Sequence, residues 1–246
     1  MTRISIVIAT YNAADTLERC LDSITSQLGA DAEVIVIDGG SHDGTIEVLS
    51  ARQRELGFWL SEPDKGLYDA WNKGVMRAQG DYIAFLGADD ALEPGAVRRL
   101  CELTSCGSDL ISFKGKVVAA DGRSLGVIGK QWSYRGVARR MGICHPGALH
   151  ARRLFGQVGL FDPRYRVAAD YEWMLRLPPS TTATFVDEVL VRIQDGGVSR
   201  KRKLVTMKEY WRIQKDCPRL GLMWASWVFV DRMWRPYVAR ALRMHY

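Results

Sequence analysis

Along the first 90 residues, short aliphatic runs alternate with segments whose apolar residues recur at helical spacing. Ile4-Ser5-Ile6-Val7-Ile8-Ala9 reads as a β-branched strand that ends in Thr10-Tyr11-Asn12. A helix follows from about Asp15, with Leu17, Cys20, Leu21, Ile24 and Leu28 on one face. Val34-Ile35-Val36-Ile37 is a second strand closing on Asp38, and residues 39–45 form a loop into a helix that runs to about Glu55. Phe58-Trp59-Leu60 is a third strand; the loop Glu62-Pro63-Asp64-Lys65-Gly66 and a helix over 67–78 come next. Residues 82–86 are almost wholly apolar, which predicts a strand covered on both faces. Strand and helix alternating in this way predict an α/β chain with a doubly wound, mainly parallel sheet.

Past Asp90 the pattern becomes mixed. A helix over 94–103 precedes strand-like runs at 109–113 and 116–119, and Asp121-Gly122 predicts a hairpin turn into a strand over 124–128. Residues 140–160 read as loop and short elements. A helix over 170–177 is stopped by Pro178-Pro179, strands follow at 184–186 and 189–193, and the remainder is helical. The predicted organisation is one domain over 1–200, with a nucleotide-binding half (1–90) and an acceptor half (91–200), and a helical tail over 201–246.

Charge sharpens the view of that tail. From residue 192 onward 13 Lys and Arg face 4 Asp and Glu, whereas the whole chain carries only +6. Trp224, Trp227, Val228, Trp234, Tyr237 and Leu242 recur at roughly helical spacing, interleaved with Arg232, Arg235, Arg240 and Arg243. Such a helix suits the interface of an anionic membrane, or packs its aromatic face on the body or on a second copy of the chain. No nucleic-acid motif accompanies the charge, so nucleic acid is not the expected partner. No apolar run approaches the ~20 residues of a membrane span, and Met1-Thr2-Arg3 runs straight into a strand, which predicts no signal peptide. Five scattered cysteines without a C-x-x-C pair suit a reducing cytoplasm, with the tail reaching the inner face of the membrane.

The candidate chemistry gathers at strand ends, where open α/β sheets bind their ligands. Asp89 and Asp90 stand side by side after Gly87-Ala88. Two adjacent carboxylates repel, and a hard cation such as Mg²⁺ or Mn²⁺ relieves that cost; as a bare dipeptide the pair would more often cap the following helix. Asp38 ends the second strand and could accept from a nucleobase N–H or a ribose hydroxyl, although a helix-capping role is favoured by position alone. The first strand is not followed by G-x-G-x-x-G, which counts against a dinucleotide enzyme, and no G-x-x-x-x-G-K-[ST] is present, which excludes a P-loop.

Three segments, Ile6-Val7-Ile8-Ala9-Thr10-Tyr11-Asn12, Val36-Ile37-Asp38-Gly39-Gly40-Ser41-His42-Asp43-Gly44-Thr45 and Phe85-Leu86-Gly87-Ala88-Asp89-Asp90, resemble the family 2 glycosyltransferases of the GT-A fold. The run from Glu62 through Tyr68-Asp69-Ala70-Trp71-Asn72-Lys73-Gly74 is similar to a branch that builds bacterial surface polysaccharides and glycolipids. The resemblance spans about residues 3–200. It implies inverting transfer of a sugar from a nucleotide-diphospho-sugar, UDP favoured, to a hydroxyl of a glycan or lipid-linked acceptor. Thr10 and Tyr11 would line the nucleotide pocket, Asp38 would bind the base, Asp90 would hold the cation, and Asp89 would serve the ribose or the cation. Lys65 would pair with phosphate, and His145 would contact acceptor or diphosphate. Ala168-Ala169-Asp170-Tyr171 resembles the family's Glu-Asp motif with Ala169 in place of the Glu, which makes Asp170 the general base and Glu172 its rival. Gly196-Gly197-Val198-Ser199 resembles a loop that closes over the donor. Two other readings compete. A sugar-nucleotide-forming nucleotidyltransferase would need a Gly-rich, basic loop after the first strand, which Ala9-Thr10-Tyr11-Asn12 does not supply. A non-catalytic binding partner would not need Asp38, Asp89, Asp90 and Asp170 together.

Overall fold

Every residue of strands β1 (Ile4–Thr10) and β2 (Ala32–Asp38) is buried, as expected of runs rich in Val and Ile that are covered on both faces. In the computed structural model, which describes residues 4–197, 203–228 and 230, these strands pair in parallel within one sheet. β3 (Phe58–Ser61) extends it beyond β2 and β4 (Tyr82–Gly87) beyond β1, all parallel. The crossovers are α1 (Ala14–Thr25), α2 (Thr45–Arg52) and α3 (Leu67–Arg77). The β3-β2-β1-β4 order brings Thr10, Asp38 and Gly87 to one edge of the sheet.

The second half continues the same sheet with mixed direction. β8 (Leu149–Ala151) pairs antiparallel with β4, β6 (Leu110–Val118) antiparallel with β8, and β9 (Ala183–Gln194) parallel with β6. The two-residue β5 (Ala91–Leu92), directly after the Asp pair, is tied antiparallel to β9. The hairpin expected at Asp121-Gly122 forms, and β7 (Ser124–Ile128) pairs with β6. Two expectations need correction. The runs at 109–113 and 116–119 are one strand, and so are those at 184–186 and 189–193. Val186 lies opposite Phe113 and Val189 opposite Lys114, so Asp187-Glu188 bulge out of a continuous ladder. The polar pair broke the apolar pattern without breaking the strand.

α4 (Ala96–Leu103), α5 (Tyr134–Arg139), α6 (Arg153–Val158), α7 (Ala169–Arg176) and α8 (Lys203–Asp216) complete the described helices that carry the argument below. α3 is held unusually tightly. Gly74 lies so close to Val7 of β1 that a β-carbon there would overlap the valine side chain. Asn72, buried on the same helix, exchanges two hydrogen bonds with Phe161: its Nδ2 donates to the carbonyl at 2.8 Å and its Oδ1 accepts from the amide at 2.9 Å. That amide side chain acts as a one-residue substitute for a strand partner. Between α3 and the 145–173 region a stack of rings fills the interior: Trp71 against Phe85 at 5.0 Å, Phe85 against Phe161 at 5.2 Å, and Phe155 against Trp173 at 4.6 Å.

No helix among the described residues is long and apolar enough to cross a membrane. The five cysteines are unpaired. Within the tail, Ile213 and Gln214 are buried and Trp224 donates to the Ala138 carbonyl at 3.2 Å, so this part packs on the body. Trp227 remains half exposed beneath the Arg139 guanidinium. The aromatic and basic positions from Arg232 onward lie outside the described residues, as do Val198 and Ser199 of the expected donor loop.

Candidate active site

The loops after β1 and β2 are locked together by the polar residues of the second strand's motif. The Asn12 amide donates to Ser41 Oγ at 2.7 Å and Asn12 Oδ1 accepts from the His42 amide at 3.0 Å, with Asn12 at φ 47°. Asp43 accepts from the Ala14 amide and from Thr45 Oγ1, and Thr45 Oγ1 in turn accepts from the Ala13 amide. The motif's Ser, Asp and Thr therefore build the scaffold of the crevice. Tyr11 stands on it, 62% exposed, and the buried Thr10 hydroxyl has no hydrogen-bond partner among the described residues.

Asp38 belongs to the same scaffold. It is wholly buried, and its Oδ2 accepts from the amides of Gly40 (3.0 Å) and Ser41 (2.9 Å) and from Ser61 Oγ (2.6 Å). Oδ1 accepts from Ser41 Oγ at 2.5 Å. Both oxygens already accept bonds, and none comes from α2, whose N-cap is Gly44; Asp38 ties the 40–41 turn to the end of β3 and caps no helix. The carboxylate that is free at this spot is Asp64. It stands over Gly39, where an added β-carbon would meet its Oδ2 at 2.7 Å, and Gly39 is bonded to the Thr10 carbonyl. Asp64 uses Oδ1 to accept from the Gly66 amide, while Oδ2 has no hydrogen-bond partner among the described residues. Sequence reasoning took Lys65 from this loop and passed over Asp64 beside it. The clue was Gly39-Gly40, two residues without side chains beside it. Lys65 follows, exposed, on the loop that turns into α3 through Gly66 at φ 116°.

Asp89 and Asp90 converge over Gly87. A β-carbon at 87 would come within 2.7 Å of Asp89 Oδ1 and 3.3 Å of Asp90 Oδ2, so glycine is required for the two carboxylates to share this space. Asp90 is only 6% exposed, and its protein partners are two long backbone contacts, from Gly87 (3.2 Å) and Gln194 (3.3 Å). Burial first, and the neighbouring Asp89 second, push its pKa up to about 7. Arg19 of α1 reaches the Asp89 carbonyl at 3.1 Å. Among the described residues no third His, Cys, Asp or Glu joins the pair, so a cation here would complete its shell with ligand and water oxygens.

Asp170 sits in the first turn of α7. Its Oδ1 takes both available donors, the Tyr68 hydroxyl at 2.9 Å and the Tyr171 amide at 2.8 Å. Oδ2 makes no hydrogen bond among the described residues. Burial raises the Asp170 pKa, and the Tyr68 and Tyr171 hydrogen bonds oppose that rise. Tyr68 itself is held protonated, its pKa driven well up by burial and by Asp170, so it acts as donor. Glu172 is bound instead to Arg176 one turn along, at 3.0 Å, as its helical offset from Asp170 implied. Tyr68 was missed at the sequence level, hidden inside a helical apolar pattern.

His145 lies in the interior. It is 5% exposed, with its ring stacked on Phe85 at 5.7 Å and tilted against Trp71 at 5.3 Å. Burial lowers its pKa to about 3, so the ring is neutral, and a charged contact with diphosphate draws no support from this position.

Comparisons with known proteins agree with this architecture. A PGL/p-HBAD biosynthesis glycosyltransferase of Mycobacterium tuberculosis is 31% identical over 255 residues, covering 98% of this chain and 94% of the relative. The putative teichuronic acid biosynthesis glycosyltransferase TuaG of Bacillus subtilis is 28% identical and covers 93% of each chain. Among solved structures, S. aureus TarS residues 1–349 in complex with UDP-GlcNAc superposes with a TM-score of 0.69 at 16% identity, over 95% of this chain and 73% of that one. The mannosyltransferase PcManGT from Pyrobaculum calidifontis, in complex with GDP-Man and Mn²⁺, gives 0.67 at 18% identity over 98% and 75%. Both place the fold in the GT-A class. The profile described as Glycosyl transferase family 2 matches residues 5–115, and with a relative of this identity aligned along nearly the whole chain, the protein belongs to that family and is a glycosyltransferase.

Proposed function

We propose that the protein transfers a sugar from a nucleotide-diphospho-sugar, UDP-linked by preference, to a hydroxyl of a glycan or lipid-linked acceptor, with inversion at the anomeric carbon. The observation that carries this reading is the convergence of Asp89 and Asp90 over Gly87 at the end of β4. Two like charges that close, one of them nearly buried, fit a hard divalent cation, Mg²⁺ or Mn²⁺, whose remaining ligands come from a diphosphate. The solved relative that contains GDP-Man and Mn²⁺ and the TarS complex with UDP-GlcNAc support the same ligand class. The cation, when bound, offsets the charge that develops on the leaving nucleoside diphosphate.

The chain's own residues supply the rest. Tyr11 and Thr10 floor the nucleoside pocket, and Asp64 offers a free carboxylate oxygen to a nucleobase N–H or a ribose hydroxyl. Lys65, on the adjoining loop, pairs with phosphate. Asp170 Oδ2 takes the proton from the acceptor hydroxyl as its oxygen attacks the anomeric carbon opposite the diphosphate. Tyr68 and the Tyr171 amide keep Oδ1 occupied, so the carboxylate presents one oxygen in one orientation. A single displacement of this kind inverts the centre, as in inverting hydrolases with water replaced by an alcohol. The names of the mycobacterial and Bacillus relatives support a surface glycan or glycolipid as acceptor.

The test is a thermal-shift screen of UDP-, GDP- and dTDP-sugars with and without Mn²⁺ or Mg²⁺. The matching donor stabilises the protein by roughly 2–4 kcal/mol at 100–1,000 times its Kd, and only with the cation. No stabilisation by any nucleotide sugar with a divalent ion would refute the proposal.

A further inference from the structure

Glu209 lies in α8, outside the segment that the family's motifs cover. Its carboxylate nevertheless accepts from three successive backbone amides just ahead of the helix that carries Asp170. Oε1 accepts from Arg166 at 2.8 Å, and Oε2 from Val167 at 2.9 Å and Ala168 at 3.0 Å. Ala168 is the N-cap of α7, so Glu209, from a distant part of the chain, holds the amide of that N-cap and the two amides before it, the turn from which the helix starts. Hydrogen bonds from backbone N–H to a carboxylate are charge-assisted and roughly twice as strong as neutral ones.

The gripped turn is also the joint on which the Asp170 side chain depends. Val167 gives its amide to Glu209 and its carbonyl to the Tyr68 hydroxyl at 3.0 Å. The same hydroxyl contacts Asp170 Oδ1. α8 is in turn fixed to α7: Tyr210 stacks on Tyr171 with ring centroids 4.2 Å apart, and Gln214, buried, donates to the Tyr171 hydroxyl at 2.8 Å. A shift of this turn would move Asp170 and its Tyr68 partner together.

We infer that Glu209 is a positioning residue for Asp170, acting through the 166–168 turn, so that the C-terminal helix α8 is part of the machinery that aims the base. This rests on the reading of Asp170 as general base given above. It assigns to the basic end of the chain a role in turnover that does not depend on any membrane or partner.

The experiment uses the full chain and four variants, Glu209→Ala, Glu209→Gln, Asp170→Asn and the double variant Asp170→Asn with Glu209→Ala. Turnover is followed as nucleotide release, with water as acceptor, from whichever of UDP-glucose, UDP-GlcNAc and GDP-mannose gives the highest wild-type rate in Mn²⁺. Glu209→Ala is expected to lower kcat by roughly 10–100-fold, the scale of an ångström-sized misplacement, with the donor KM within about twofold of wild type. Glu209→Gln, which keeps one acceptor oxygen, is expected to lie between the two. In the Asp170→Asn background Glu209→Ala should bring no further loss, because both act on one group. Amide hydrogen exchange should quicken over residues 166–171 and stay unchanged in β1 to β4. Turnover lost in Asp170→Asn but undiminished in Glu209→Ala would overturn the positioning role alone. Wild-type turnover in Asp170→Asn would overturn the base assignment and the positioning role with it. Should Glu209→Ala fail to bind donor, Glu209→Gln decides: an undiminished kcat there overturns the inference.

Discussion

Tyr68 and Asp170, 102 residues apart in sequence, meet at 2.9 Å through a phenol hydroxyl and a carboxylate oxygen. The phenol stabilises the charged carboxylate and opposes the desolvation that raises its pKa. Tyr68→Phe removes that opposition, so the Asp170 pKa rises further. A base must be ionised to act, and the acid limb of the kcat profile should therefore move to higher pH. A pH–rate profile in which the acid limb stays in place would show that the hydroxyl does not tune the base.

The Asp90 carboxyl gives a second pH dependence, of opposite origin. Folded, it holds its proton up to about pH 7; unfolded, it releases it near the ordinary value of 3.8. The folded state therefore binds more protons between those values, and stability of the cation-free protein falls as pH rises through that window. The full shift corresponds to at most about 4 kcal/mol. Asp90→Asn should make the cation-free protein more stable at pH 8 and abolish stabilisation by Mn²⁺. Chemical denaturation at pH 5 and pH 8, with and without Mn²⁺, checks both statements.

Asp38 and Asp64 should separate cleanly on substitution. Asp38→Ala strands four donors, the two of Ser41 buried and those of Gly40 and Ser61 half-buried, and is expected to cost about 2–4 kcal/mol of stability. Asp64→Ala should leave the melting temperature within a degree or two, on the order of a surface change, and weaken nucleotide binding several-fold. Calorimetry with UDP and Mn²⁺ on both variants distinguishes them; equal nucleotide affinity in Asp64→Ala removes that residue from the pocket.

Gly74→Ala tests the clamp between α3 and β1. An added methyl would overlap Val7, and overpacking of this kind costs roughly 1–3 kcal/mol. Gly74→Ala with Val7→Ala should recover much of the loss, measured as urea midpoints at constant m-value.

The parallel half of the sheet was legible in the sequence because each strand is a buried aliphatic run and each helix has one apolar face. Asp89, Asp90 and Asp170 were legible as candidates from motif and position. The insertion of β8 between β4 and β6 was not, since three residues carry no period and their pairing is decided by distant partners. Asp38 shows a related limit. Its place at a strand end suits ligand contact, but no local pattern in the chain reveals its bonds to Ser41 and Ser61. Glu209 looked like one acid in a basic tail, and nothing local in the chain announces the turn it holds.

A single helix, α3, carries Tyr68 at its start, Asn72 in its middle and Gly74 near its end. Through them it is bound to Asp170, to Phe161 and to β1 in turn. On the proposed reading, one element thus links the nucleotide side to the proton-accepting side, and a substitution at any of its three anchors should disturb both.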